Sequence, residues 1–164
     1  MNKKVFTLNK FEQQIVEMVG NARHEQNCSV GRGKGTINKI NDSQLDIIGF
    51  GAEFIFCREL NLFPDFKIEI FSKNEGTDQY DCVYKNKTFD IKANRNYKNP
   101  LMIPAHLKSD CDFFALFSCI YPRYRFEGFA TNEMVYKKEN LRMTRIKSFV
   151  LEKSKLLTLK QLKL

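Results

Sequence analysis

The most apolar stretch of the chain, residues 113–121, constrains the fold more than any other segment. It is far shorter than the ~20 residues a membrane-spanning helix needs, and it is long enough to form the centre of a sheet. The rest of the chain must then supply partner strands and covering helices. Residues 8–28 are predicted to be helical, with Phe11, Ile15, Met18 and Val19 on one face at three- and four-residue spacing. The Gly-rich polar stretch SVGRGKGTINKIN follows as a loop. Ser43-Gln44-Leu45-Asp46 resembles a capping box with Asp in place of Glu, so a second helix is expected from Ser43 to about residue 60, with Pro64 just beyond. The period then changes from helical to alternating. Phe66, Ile68 and Ile70 alternate with Lys67 and Glu69, which predicts a strand over 66–71.

Residues 79–84 and 88–93 read as two strands of a hairpin around Lys85-Asn86-Lys87. Residues 94–110 read as a long loop with at most one helical turn, and 123–130 as another strand. Thr131 is placed to cap a short helix over 132–139, 149–151 fits a short edge strand, and the tail LLTLKQLKL is apolar enough to dock on the body. The expected architecture is mixed α/β: one domain over residues 1–164, a central mixed sheet of four to five strands flanked by helices, and a basic C-terminal segment over 137–164.

Composition narrows the chemistry. Of 164 residues, 43% are hydrophobic and 15 are Phe, which argues against disorder. The net charge of +8 predisposes the chain to polyanions. Nine Lys or Arg against two Glu between residues 137 and 163 supply nearly all of it. The N-terminus is basic but no apolar run follows it, so no secretory signal is expected. Five Cys with no CxxC pair argue against a disulfide framework or structural zinc, and fit reduced, mostly buried thiols. Only His24 and His106 are present, which leaves little material for a His-rich metal site or a Ser-His-Asp triad. Carboxylates and lysines must carry any catalysis.

They do so in one place. If Lys85-Asn86 is the hairpin loop, Tyr84 pairs with Lys87, Cys82 pairs with Phe89, and Asp81 faces Asp90. Alternation then puts Asp81, Asp90 and Lys92 on one face and Ile91 on the other. Opposed carboxylates on neighbouring strands destabilise by a few tenths to about 1 kcal/mol. A cation between them reverses that sign, and hard oxygen ligands suit Mg²⁺ or Mn²⁺. The bland alternative is a surface hairpin in which Lys92 pairs with Asp90. Glu53 lies in the middle of the apolar second helix, where a lone carboxylate is costly unless paired or metal-bound; Arg58 and Lys92 are the candidate partners. Gly49 and Gly51, each unfavourable in a helix interior by about 1 kcal/mol, suggest a close approach of backbone to something just before it.

Glu53 on a helix, then Asp81, then Asp90-Ile91-Lys92 on the next strand of a meander resembles the PD-(D/E)XK nuclease superfamily. GFGAE and DIKA look most like its small phage-type or recombination-associated members. Tyr80 stands where that pattern often has Pro, Asp90 where it more often has Glu, and Asp78 could replace Asp81. The resemblance implies a restriction-endonuclease-like fold and an Mg²⁺- or Mn²⁺-dependent deoxyribonuclease. Glu53, Asp81, Asp90 and the Ile91 carbonyl would hold the metal, and Lys92 would orient or help deprotonate the attacking water. It implies DNA as partner, no membrane, a cytoplasmic setting, and a homodimer if both strands of a duplex are cut. Three rivals stay open: a catalytically idle binding member, a branched-junction resolvase, and a basic interaction protein. For DNA contact the candidates are Arg23, Arg32 and Lys34 around GRGKGT, and Lys137, Lys138, Arg142 and Arg145 in the tail. Arg123-Tyr124-Arg125 mixes cations with a ring, although alternation equally puts Tyr124 and Phe126 in the core.

Overall fold

A computed structural model of the protein describes residues 4–30, 42–68, 80–158 and 160–161. Asn9 starts the first helix: its side chain accepts the Glu12 amide while the Glu12 carboxylate accepts the Asn9 amide, a reciprocal capping box. That helix, α1 (Lys10–Ser29), follows a short strand, β1 (Val5–Thr7), and precedes α2 (Asp42–Glu59). The two helices pack antiparallel, with Gly20 against Ile47 and Val16 beside Gly51. The buried face of α1 is Val16, Val19 and Gly20. Of the four residues expected to face the core only Val19 does; Phe11 and Met18 are exposed and Ile15 borders on it. Small residues win that face because they let α2 approach. Ser43 lies inside α2, which begins at Asp42, and the Asp46 carboxylate turns to His24.

The strands are β2 (Cys82–Tyr84), β3 (Lys87–Asn94), β4 (Leu101–Pro104), β5 (Phe113–Ile120), β6 (Arg123–Thr131), β7 (Leu141–Met143) and β8 (Lys147–Leu151), with α3 (Asn132–Val135) after β6. Thr131 caps α3 as its sequence implies, by accepting the Met134 amide. Five strands form one mixed sheet in the order β1-β6-β5-β3-β2, with β5 at its centre. The β2–β3 turn is the two-residue Lys85-Asn86 loop, both residues at positive φ, and the register pairs Tyr84 with Lys87 and Cys82 with Phe89. β3 and β5 run parallel, and β5 and β6 antiparallel.

Three expectations are corrected. Residues 94–110 are not all loop, since they contain β4. Residues 149–151 are not an edge: β8 is the middle of a second sheet, β4-β8-β7. Residues 66–68 are not a strand, and 69–71 lie outside the described residues, as do GRGKGT and Asp78.

Two cores result. One face of the five-stranded sheet (Phe89, Ile91, Phe117, Tyr124, Phe129) packs on α1 and α2; the other (Phe114, Leu116, Ala130) packs on the second sheet through Leu101, Ile103 and Leu151. Tyr124 is thus core, as alternation allowed. The tail docks through a bridge between Phe129 and Leu157 that crosses over Gly128, where φ is 143° and a Cβ would strike Leu156. No helix among the described residues is long and apolar enough to cross a membrane.

Gly51 carries a close approach: a Cβ there would run into the hydroxyl of fully buried Tyr124. Gly49 faces open space. Gly51→Ala is therefore expected to lower unfolding stability by about 2–3 kcal/mol through overpacking, while Gly49→Ala raises it by about 0.5–1 kcal/mol through helix propensity. Urea titrations of the two variants check the opposite signs.

Candidate active site

Three elements deliver the carboxylates to one place. Asp81 immediately precedes β2, and its amide donates to the Phe89 carbonyl at 2.8 Å, which continues the hairpin ladder and brings Asp81 opposite Asp90. Along β3, Phe89 and Ile91 enter the helix-side core, so Asp90 and Lys92 point to the other face. β2 is the sheet edge, and α2 brings Glu53 to this edge from the helix side.

Each acid has a partner. Glu53 Oε2 accepts from Arg23 at 2.9 Å. The same guanidinium donates to the Asp65 carbonyl at 2.9 Å and lies 4.7 Å over the Phe50 ring. Asp81 Oδ2 accepts the Ile91 amide at 2.5 Å. Asp90 Oδ1 is 2.5 Å from Lys92 Nζ, an ion pair by distance, yet this buried oxygen receives no well-directed hydrogen bond. The Asp90 side chain is 9% exposed and that of Lys92 40%, so the lysine side chain is partly open while its partner is buried.

The acids also act on one another. Burial raises the Asp81 carboxyl well above the ordinary range, and the charges of Glu53 and Asp90 push it further. Burial likewise raises Glu53, against the pull of Arg23 and Lys92 and with the repulsion of Asp90. For Lys92, burial works against the charged form, but Asp90, Asp81 and Glu53 outweigh it and hold the ammonium protonated above its usual range. Glu53, Asp81, Asp90 and Lys92, expected together from the sequence, form one electrostatic cluster.

Their chemistry fits a hard divalent cation in kind: three carboxylates, a backbone carbonyl at Ile91, and one buried carboxylate oxygen without a directed donor. As the side chains stand, no three His, Cys, Asp or Glu among the described residues are grouped to hold a metal. Glu53 is turned to Arg23 instead.

The structure adds neighbours that the linear sequence does not reveal. Arg23, expected to face DNA, is 25% exposed and bound to Glu53; the expected partners Arg58 and Lys92 do not take that place, and Arg58 binds Glu12 and Glu59. On the second-sheet side, Cys111 and Tyr136 lie within the electrostatic reach of Asp90 and Lys92, and burial pushes the Cys111 thiol up to about 11. The Tyr136 hydroxyl accepts the Ser109 amide at 2.8 Å, and Lys108 Nζ sits 4.8 Å over its ring. Behind the acids, Cys57 and Cys82 share a hydrogen bond that lowers the first thiol and raises the second. Lys137, Lys138, Arg142 and Arg145 are exposed. Lys153 is not: it donates to Glu127, Ser118 and the Tyr97 carbonyl. Arg32 and Lys34 lie outside the described residues.

Compared with protein-family models, with curated proteins and with solved structures, the chain matches none of them significantly.

A raised folded-state carboxyl contributes stability in full below its unfolded value and loses it as pH climbs through the raised value. Asp81 and Glu53 both follow this sign. Asp81→Asn, which can still accept the Ile91 amide, is expected to raise the melting temperature at pH 7, by roughly 2–4 °C for each kcal/mol of repulsion relieved. The gain should shrink toward pH 4. Melts across that range read it, and a loss of stability at pH 7 would contradict the mutual repulsion.

Proposed function

We propose that the chain is a metal-dependent deoxyribonuclease with a restriction-endonuclease-like fold. One observation carries the reading: Glu53 on a helix, Asp81 at a strand start, and Asp90 and Lys92 on the neighbouring strand lie within electrostatic reach of one another. Structural stability gains nothing from three repelling acids near one lysine.

Glu53, Asp81, Asp90 and the Ile91 carbonyl are the groups that would hold Mg²⁺ or Mn²⁺. When bound, such an ion lowers the pKa of water and neutralises charge on a scissile phosphate. The chain's own residues do the rest. Lys92, anchored on Asp90, orients the nucleophilic water and offers positive charge to a phosphate oxygen. The Ile91 amide fixes the Asp81 rotamer. Lys108 lies over the Tyr136 ring, and exposed Lys137 and Lys138 follow that residue in the chain; together with Arg142 and Arg145 they would meet a phosphate backbone, with an affinity that falls steeply with salt.

A catalytically idle DNA-binding member is the second reading. It is favoured by the fact that Glu53, Asp81 and Asp90 already have the partners Arg23, the Ile91 amide and Lys92.

One experiment separates the two. Linear, supercoiled, single-stranded and branched DNA are incubated with the protein and Mg²⁺, Mn²⁺ or EDTA, with binding measured in parallel. The nuclease reading expects metal-dependent cleavage, none in EDTA, and rates down by about 10²-fold or more in Lys92→Ala and Asp90→Asn, with DNA affinity retained. Binding without cleavage in either metal supports the idle reading. Neither binding nor cleavage overturns both. Preference for the branched substrate would identify a junction resolvase.

A further inference from the structure

Away from the carboxylate cluster, α1 and α2 bring three other reactive side chains into line. His24 Nδ1 lies 3.0 Å from Asp46 Oδ2, and His24 Nε2 lies 3.5 Å from Cys28 Sγ. Cys28 is the exposed cysteine of the five. The order of contacts favours one tautomer of the neutral ring. An ionised carboxylate only accepts, so Nδ1 carries its hydrogen toward Asp46. The lone pair of the neutral ring is then on Nε2, and it faces the Cys28 thiol. Cys28 and His24 are one turn apart on α1, where side chains four residues apart meet. Asp46 comes from α2, so the alignment depends on the close helix packing at Gly20 and Ile47. The carboxyl end of α1 disfavours an anion, so activation has to come from the imidazole.

We propose that Cys28 is a nucleophilic thiol with His24 as its base and Asp46 as the group that orients His24, and that it is a site of reversible thiolation by low-molecular-weight disulfides. The Cys28 proton passes to His24 Nε2. The thiolate attacks one sulfur of the disulfide, a new S–S bond forms as the old one breaks, and the departing thiolate takes the proton from Nε2. No outside reductant or oxidant beyond the disulfide is needed. The other thiols compete poorly: Cys57, Cys111 and Cys119 are buried, and Cys82 is half-buried with its thiol hydrogen-bonded to the free Cys57 thiol.

The test is reaction of the full chain with oxidised glutathione at neutral pH, with the modified residue located by mass spectrometry. Cys28 is expected to be modified first, and Cys28→Ser to remove that adduct. His24→Gln should slow it at least about tenfold and Asp46→Asn less, with Cys57, Cys111 and Cys119 still protected, which a merely structural loss would not leave. Long-range proton–nitrogen correlation on the wild-type chain reads the tautomer independently, and the Nδ1-protonated form is expected. Equal Cys28 rates in wild type and folded His24→Gln, first modification at Cys82, or an Nε2-protonated ring would each overturn the proposal.

Discussion

Like charges held close together in a poorly solvated place are the constraint around which this structure is arranged. Burial raises the proton affinity of Asp81 and of Glu53, the charge of Asp90 adds to both, and the surroundings answer each acid in turn. Arg23 is itself pinned by Phe50 and the Asp65 carbonyl, so it offers Glu53 an already ordered guanidinium. The Ile91 amide does the same for Asp81, from the strand that carries Asp90 and Lys92. Such pairs rarely add net stability, because desolvation offsets the attraction. What they add is position. Rigid elements hold groups that would otherwise separate, which is the pattern expected where folding and function pull in different directions.

Much of that cluster was legible in the residues because it rests on local rules. The Lys85-Asn86 turn sets the hairpin register, the register opposes Asp81 to Asp90, and alternation sends Lys92 to the same face as Asp90. An acid within an apolar helix marks Glu53. Arg23 was not legible as its partner, since the two are separated by thirty positions and meet only through the antiparallel packing of α1 on α2. The inward face of α1 was misread for a related reason. Large apolar residues suggest a core, but the tight crossing selects Val16, Val19 and Gly20, leaving Phe11 and Met18 outside.

The second sheet escaped for want of any period. β4 and β7 have four and three residues, too few for alternation to stand out, and β8 becomes central only because, beside its local hairpin with β7, it pairs non-locally with β4. Its effect reaches the site. By covering Phe114 and Leu116 it closes the face of the main sheet that α1 and α2 leave open, and it brings Tyr136, with Lys108 over its ring, within the electrostatic reach of Lys92.

This arrangement also decides where the excess positive charge can act. Sequence alone spreads nine cations evenly along the C-terminal segment. The fold divides them. At the register shift between Leu116 and Phe117 the chain passes over Glu127, whose side chain is buried, and Arg125 and Lys153 turn inward to neutralise it. Lys153 therefore contributes to packing and little to the surface. Lys137 and Lys138 follow Tyr136 directly and stay exposed, so they remain on the second-sheet side with Lys108. α2 closes the opposite side behind Glu53.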